Sequence, residues 1–213
     1  KSENCRSGAT MNRIETLEQL ENIYGKPKPP ALVKVAHKMT AEYQSFIEAA
    51  PFLALATCSI DGLDCSPRGD LAGFVRIEND DTLLLPDRRG NNRVDSLANI
   101  IQNPQITLMF MIPGVPNIIR VNGEAWISID PDRLASFSVN GKEPRSVIVI
   151  EIREIYFQCA RAIVRSKLWE MESQIDPDTL PSPGEILAAM TDGREGGISY
   201  DKTWPDRAKE TLW

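Results

Sequence analysis

The chain has 213 residues, 42% of them hydrophobic and 25% charged, with a net charge of −6. Such a composition predicts a globular chain long enough to bury a core of its own. The acidic balance argues against nucleic-acid or anionic-membrane binding, which need a broad basic surface, and no apolar run reaches the roughly 18 residues of a membrane helix, so the expected address is the cytoplasm.

Four cysteines form no CxxC pair, and His37 is the only histidine. That excludes most zinc arrangements and mechanisms needing a histidine base near a distant nucleophile. His37, beside Lys38 in a polar stretch, is expected to be solvated. Residues 1–10, KSENCRSGAT, differ in character from the chain beyond Met11 and are set aside as an expression remnant or an alternative start.

From Met11 the pattern is helical. Thr16 is an N-cap, Leu17, Leu20 and Tyr24 recur at helical spacing, and Gly25 ends the run. Lys26 to Pro30 is a proline-broken connector, and Ala31 to Lys38 a short helix. Thr40 caps a third helix, with Tyr43, Phe46 and Ile47 on one face and Pro51 as its stop. Residues 11–51 are therefore expected to form a helical layer over a sheet.

The sheet begins at Phe52. FLALATCSI, then Asp61-Gly62, then LDCS predicts a hairpin whose two-residue turn opposes Cys58 to Cys65. Two reduced thiols are expected there rather than a disulfide. The second strand enters SPRGD, residues 66–70, where Arg68 and the freed backbone make either a ligand site or a salt-bridged loop. Gly73 to Ile77 and Thr82 to Leu85 form the next hairpin across Glu78 to Asp81.

That hairpin feeds LLLPDRRGNNR, residues 83–93. Arg88, Arg89 and Arg93 surround a Gly-Asn-Asn turn just before a helix over Asp95 to Gln102, whose Leu97, Ile100 and Ile101 should turn inward. Guanidinium forks beside free backbone N–H groups suit a phosphate. The continuous apolar run of Gln105 to Ile112 is a central strand, and Ile118 to Ile129 a long one in which Gly123 marks a bulge. Beyond it come a short helix from Asp130-Pro131, a turn at Asn140-Gly141 and strands over Val147 to Ile152 and Ile155 to Cys159.

YFQCARAIVRSKLW, residues 156–169, places Arg161 and Arg165 four apart on a helical face, with Trp169 a turn further on. This is either a grip on an anionic aromatic ligand or a solvated basic helix end. Residues 170–213 form an arm with one marked helix, the capping box Ser182-Pro183-Gly184-Glu185, and two tryptophans, Trp204 and Trp213, expected to dock on the barrel or on a partner subunit. Six or more strands joined mostly by hairpins predict a mainly β, antiparallel barrel with peripheral helices, residues 52–169, in a single domain. GxGxxG, Walker, HExxH and GxSxG motifs are absent.

LLLPDRRGNNR, SPRGD and RSKLW, separated by this strand pattern, resemble the flavin-binding split-barrel family related to pyridoxamine 5′-phosphate oxidase, over about Thr16 to Trp169. The resemblance implies non-covalent FMN at a homodimer interface. It implies that Leu85, Pro86 and Asp87 border the isoalloxazine ring, and that Asn91, Asn92 and Arg93 take the phosphate and ribityl chain with help from Ser66 and Arg68. Arg165, Ser166 and Trp169 would complete the pocket, from the second subunit. The expected activity is oxidoreduction of a small-molecule substrate through flavin N5. The alternatives are a non-catalytic flavin-binding or redox-sensing module, or the same barrel around haem or a deazaflavin, the haem case weakened by the single histidine. The Arg-x-His pattern that would hold pyridoxal phosphate is missing and Gln158 stands where relatives suggest histidine, so vitamin B6 oxidation is not carried over.

Overall fold

The computed structural model describes residues 12–211, so the readings of residues 1–10 and of Trp213 fall outside it. The chain divides into two units, Lys1–Val35 and Ala36–Trp213. The first holds α1 (Leu17–Tyr24) and α2 (Pro29–Val33). Thr16 closes a full capping box with Gln19, as its position predicts, and Gly25 takes a φ of 70° at the end of α1. α2 departs from expectation. Pro29 and Pro30 open the helix instead of breaking it, because the first helical turn needs no N–H donors, and it stops at Val33. Neither helix has a buried residue.

The second unit opens with an isolated bridge, in which Ala36 exchanges hydrogen bonds of 2.9 and 2.8 Å with Ile155. His37 is exposed as expected, with Nδ1 2.9 Å from the Arg153 carbonyl oxygen. α3 (Ala41–Ala49) starts at the Thr40 cap and belongs with the sheet. Its Ile47 is fully buried among strand residues, and Tyr43 and Phe46 pack beside it.

Seven strands make up the rest of the core: β1 (Phe52–Ser59), β2 (Gly62–Gly69), β3 (Arg76–Asn79), β4 (Thr82–Pro86), β5 (Gln105–Met111), β6 (Ile118–Ser128) and β7 (Val147–Gln158). They form one antiparallel sheet in the order β2-β1-β5-β6-β7-β4-β3, the split β-barrel expected from the hairpin pattern. Alternation does the sorting. Leu53 and Leu55 of β1, Leu108 and Phe110 of β5, Val121 of β6 and Ile148 and Ile150 of β7 form one core. β4 is buried on both faces: Leu83 and Leu85 enter that core, while Leu84 joins Val147, Val149 and Phe137 under α5 (Pro131–Ser136). This is why its sequence is an unbroken leucine run.

The hairpin register differs from the predicted one. Ile60 and Asp61 make the turn, with Gly62 at a φ of 134° already in β2, so Cys58 pairs with Leu63 and Cys65 with Ala56. The two thiols do not face each other, and Cys58, Cys65 and Cys159 are free. The bulge at Gly123 is present. A side-chain carbon there would collide with the Glu151 carbonyl oxygen, and Arg153 is the extra residue on the β7 side, where the register steps from Glu154 to Ile152. The β3 strand starts at Arg76 rather than Gly73, after a turn that buries Phe74 and Val75.

α4 (Asp95–Gln102) crosses from β4 to β5 with its predicted boundaries, and Ile100 and Leu97 turn to the core as expected, but Ile101 does not. Ile101 is 77% exposed, while Ser96 and Asn99 are buried. The helix follows polar partners: the Asn99 amide donates to Thr57 Oγ1 at 3.1 Å, and Ser96 meets β2.

α6 (Arg161–Ser166) ends at Lys167, whose φ of 53° leaves Trp169 outside the helix. The C-terminal arm has two helices, α7 (Pro183–Met190) and α8 (Gly197–Thr211), where sequence marks one. Besides the Ser182 box, Asp201 of α8 accepts from Ser182 Oγ at 2.6 Å and from the Gly184 N–H at 2.9 Å, so one carboxylate from a later helix seals the start of α7. Trp204 is 57% exposed within this chain, with the Arg207 guanidinium 5.8 Å from its ring centroid. No helix among the described residues is long and apolar enough to cross a membrane.

Candidate functional site

The site is built on β2. Its inward positions, two residues apart, are Asp64, Ser66 and Arg68, opposite Thr57, Leu55 and Leu53 of β1. Polar residues on a core-facing register need partners, and they find them across the barrel. Ser96, in the first turn of α4, donates its hydroxyl to Asp64, and its oxygen lies 2.9 Å from Ser66 Oγ. Arg68 Nε donates to Ser66 Oγ at 3.3 Å, and Arg68 Nη1 to Asp87 Oδ1 at 2.5 Å. A continuous polar line therefore runs from Asp64 through Ser96, Ser66 and Arg68 to Asp87. It ties an edge strand of the sheet to the segment that leaves β4.

A second ion pair lies beside the first. Arg88 Nε donates to Asp70 Oδ2 at 2.8 Å, and its Nη1 to the Phe137 carbonyl oxygen at 2.8 Å, closing the end of α5. Arg88 is 17% exposed and Asp70 26%. Of the three arginines in the turn, Arg88 is therefore a structural tie and not a free anion donor.

Beyond it the chain turns out to solvent. Arg89, Gly90, Asn91, Asn92 and Arg93 are all exposed. Asn92 sits at a φ of 60°, which asparagine tolerates better than most residues, and its side-chain oxygen accepts from Arg145 Nη1 at 2.9 Å. Asn91 Oδ1 accepts from the Arg93 N–H at 3.0 Å. Arg93 Nε pairs with Asp95 Oδ2 at 2.5 Å. That hydrogen bond, the charge of Asp95 and a smaller pull from Asp64 hold the guanidinium above its ordinary pKa, so it stays charged at any working pH. No side chain caps α4. Its first-turn N–H groups and the terminal nitrogens of Arg93 are the donors available to an anion.

The other expected site residues lie elsewhere. Leu85 is fully buried in the core and Pro86 is buried beside it. Arg165 and Ser166 are exposed on α6, where Ser166 Oγ donates to the Ile163 carbonyl at 3.1 Å. Trp169 donates from Nε1 to the Val115 carbonyl at 2.9 Å, in the β5–β6 turn. A shallow concavity of about 480 Å³ is lined by Ala160, Arg161, Val164 and Arg165. Hydrogen bonds and chain proximity thus gather Ser66, Arg68, Asp87, Asn91, Asn92 and Arg93 about β2 and α4, and among the described residues none of these bonds reaches Arg165, Ser166 or Trp169.

Asp64, Ser96 and Arg145 are the members that sequence reasoning missed. The first had a signal in the alternation of Asp64, Ser66 and Arg68 along a strand, and Ser96 one in its spacing from Asn99 on α4. Arg145 had none, because its contact spans 53 residues. Among the described residues no group of His, Cys, Asp and Glu side chains could hold a metal ion.

With this fold and this polar corner in view, the family is settled by sequence. The chain belongs to the pyridoxamine 5′-phosphate oxidase family, whose model matches residues 39–159, more than half of it. That family commonly binds a flavin and its members are typically dimers. No curated protein matches the chain. Among solved structures it is similar to HupZ of Group A Streptococcus, at 20% identity and a TM-score of 0.45 over 56% of this chain and 93% of that one. A putative pyridoxamine 5′-phosphate oxidase from Lactobacillus delbrueckii matches at 20% identity and a TM-score of 0.44, over 57% of this chain and 95% of its own. General Stress Protein 26 from Bacillus anthracis matches at 20% identity and a TM-score of 0.40, over 54% and 88%.

Proposed function

We propose that the chain is an FMN-dependent oxidoreductase acting on a small-molecule substrate as a homodimer. The observation that carries this reading is the exposed donor set of Asn91, Asn92 and Arg93 beside the uncapped start of α4, with the Ser66–Arg68 strand directly behind it. These donors fit a phosphate group: Arg93 uses only Nε on Asp95, which leaves its terminal nitrogens for an anion. Ser96, bonded to Ser66, holds the helix end against β2, so the backbone N–H groups keep a fixed aim. The Leu85-Pro86-Asp87 strand end would border the ring by its backbone, since the Leu85 side chain is in the core. Arg165, Ser166 and Trp169 would come from the second subunit, since within one chain their hydrogen bonds go to Ile163 and Val115 and not to β2. A flavin bound there supplies hydride or electron transfer at its N5, and the protein's part is to bind and orient it.

A visible spectrum of the purified protein tests the reading. Flavin absorbance bands and FMN released on denaturation are expected. Colourless protein that takes up no added FMN would refute it. Steady-state oxidation of NADH or NADPH by the loaded protein separates an enzyme from a binding module.

A further inference from the structure

The two motifs SPRGD and DRRGNNR are complementary in charge as well as close in space. Arg68 and Asp70 stand two apart at the end of β2, and Asp87 and Arg88 are adjacent after β4. They pair crosswise, Arg68 with Asp87 at 2.5 Å and Asp70 with Arg88 at 2.8 Å, and all four side chains are between 17% and 26% exposed. Each pair is also tied to a third element. Arg68 reaches Ser66 and through it Ser96 of α4, while Arg88 reaches the carbonyl that ends α5. The Asp87 N–H donates to the Ser146 carbonyl at 2.9 Å, which fixes the backbone between the two pairs. The exposed residues 89–93 begin immediately after this knot.

We infer that the crossed pairs Arg68–Asp87 and Asp70–Arg88 form a clasp that sets the position of the 89–93 turn. Arg68 is thus a positioning residue, acting on an anion held by the turn through Asp87 and not by touching it. Its Nε and Nη1 are already held by a hydroxyl and a carboxylate and its side chain is 18% exposed, while residues 89–93 lie open to solvent beyond Arg88. Two reciprocal pairs also resist a register slip that one pair would allow, since sliding the Asp87-Arg88 segment by a residue sets Arg68 against Arg88 or Asp70 against Asp87. The cofactor part of this inference rests on the proposed flavin reading; the clasp itself does not.

Trypsin reports the turn directly, because Arg89 and Arg93 are exposed cleavage points within it. On the full chain, Arg68→Asp and Asp87→Arg should each raise cleavage after Arg89 and Arg93 by about tenfold, and the combined swap R68D/D87R should return it to within about threefold of wild type. The pair Arg133–Glu78, at 3.2 Å and 30% and 35% exposed, is the control. Arg133→Glu should leave cleavage in the turn unchanged. A swap as labile as its single variants, or a control that loosens the turn equally, would overturn the clasp. If a single reversal fails to fold, Asp87→Asn, which keeps the acceptor and removes the charge, takes its place with the same expected direction.

FMN affinity is read alongside. Recovery of affinity in R68D/D87R together with protection of the turn supports the positioning role. Protection without recovery of affinity would mean that Arg68 contacts the phosphate itself and would overturn it. Wild-type protein that binds no FMN defeats the cofactor reading, and the cleavage results still decide the clasp.

Discussion

The corner between β2 and β4 and the surface of α6 carry the same residue type in opposite states. At the corner Arg68 and Arg88 are mostly buried and matched one to one by carboxylates. On α6 Arg161 and Arg165 lie open on one helix face, with no carboxylate partner among the described residues. The difference shows that a count of arginines measures anion-binding capacity only after internal pairs are subtracted. A cation in a half-buried pair is part of the scaffold, and its removal leaves a carboxylate without compensation. An exposed cation has little to lose on removal, and a ligand or a second subunit to gain.

The contrast can be broken most forcefully at Arg88. Arg88→Ala removes the Asp70 pair and the bond that ends α5, and should cost about 2–3 kcal/mol in urea unfolding. A loss below about 0.5 kcal/mol would mean that the corner is no more structural than α6. Next, Ser96→Ala should cost about 1–2 kcal/mol, because it leaves the inward Asp64 and Ser66 without their shared hydroxyl; Ser96→Thr, which restores the hydroxyl, should recover part of it. Arg93→Glu sits between the two regions. It should weaken FMN binding by about tenfold, roughly 1.4 kcal/mol, with little change in unfolding, whereas Lys142→Glu should leave affinity as it was. Equal affinities in the two variants would reduce the turn to a surface loop. The smallest effect is expected on α6, where Arg161→Ala and Arg165→Ala should each shift stability by less than about 0.5 kcal/mol. If Arg165→Ala weakens FMN binding without that shift, α6 completes the site, as the dimer reading requires.

The sheet was legible in the sequence because alternation and turn residues are local signals. The helix caps at Thr16, Thr40 and Ser182 and the bulge at Gly123 all follow from residue chemistry within a few positions. What failed depended on distant partners. Ile101 scored as an inward residue on hydrophobicity alone, yet Thr57, Asp64 and Ser66, about 30 residues or more away, draw Ser96 and Asn99 inward instead. Gly62 promised a turn, and a shift of one residue moved both cysteines out of register. At the candidate site the arginines were visible as a cluster, but their division into paired and free was not. It is set by Asp70 and Asp87, each 18 or 19 positions from its partner. The second helix of the arm carries Pro205 in its interior and a run of polar residues, so its pattern gave no warning.

The extra residue at Arg153 has a consequence for which sequence changes the barrel tolerates. Before it, Ile148, Ile150 and Ile152 point into the core; after it, Ile155 does, three positions on instead of two. Deleting Arg153 would place Ile155 two positions after Ile152, so the bulge would go while Ile155 stayed inward and its bridge to Ala36 stayed in register. Substitution at this exposed position costs little, since only its links to Glu124 and Glu151 are lost. Arg153 is thus a place where β7 can lose a residue and keep its faces, whereas a deletion between Ile148 and Ile152 would exchange them.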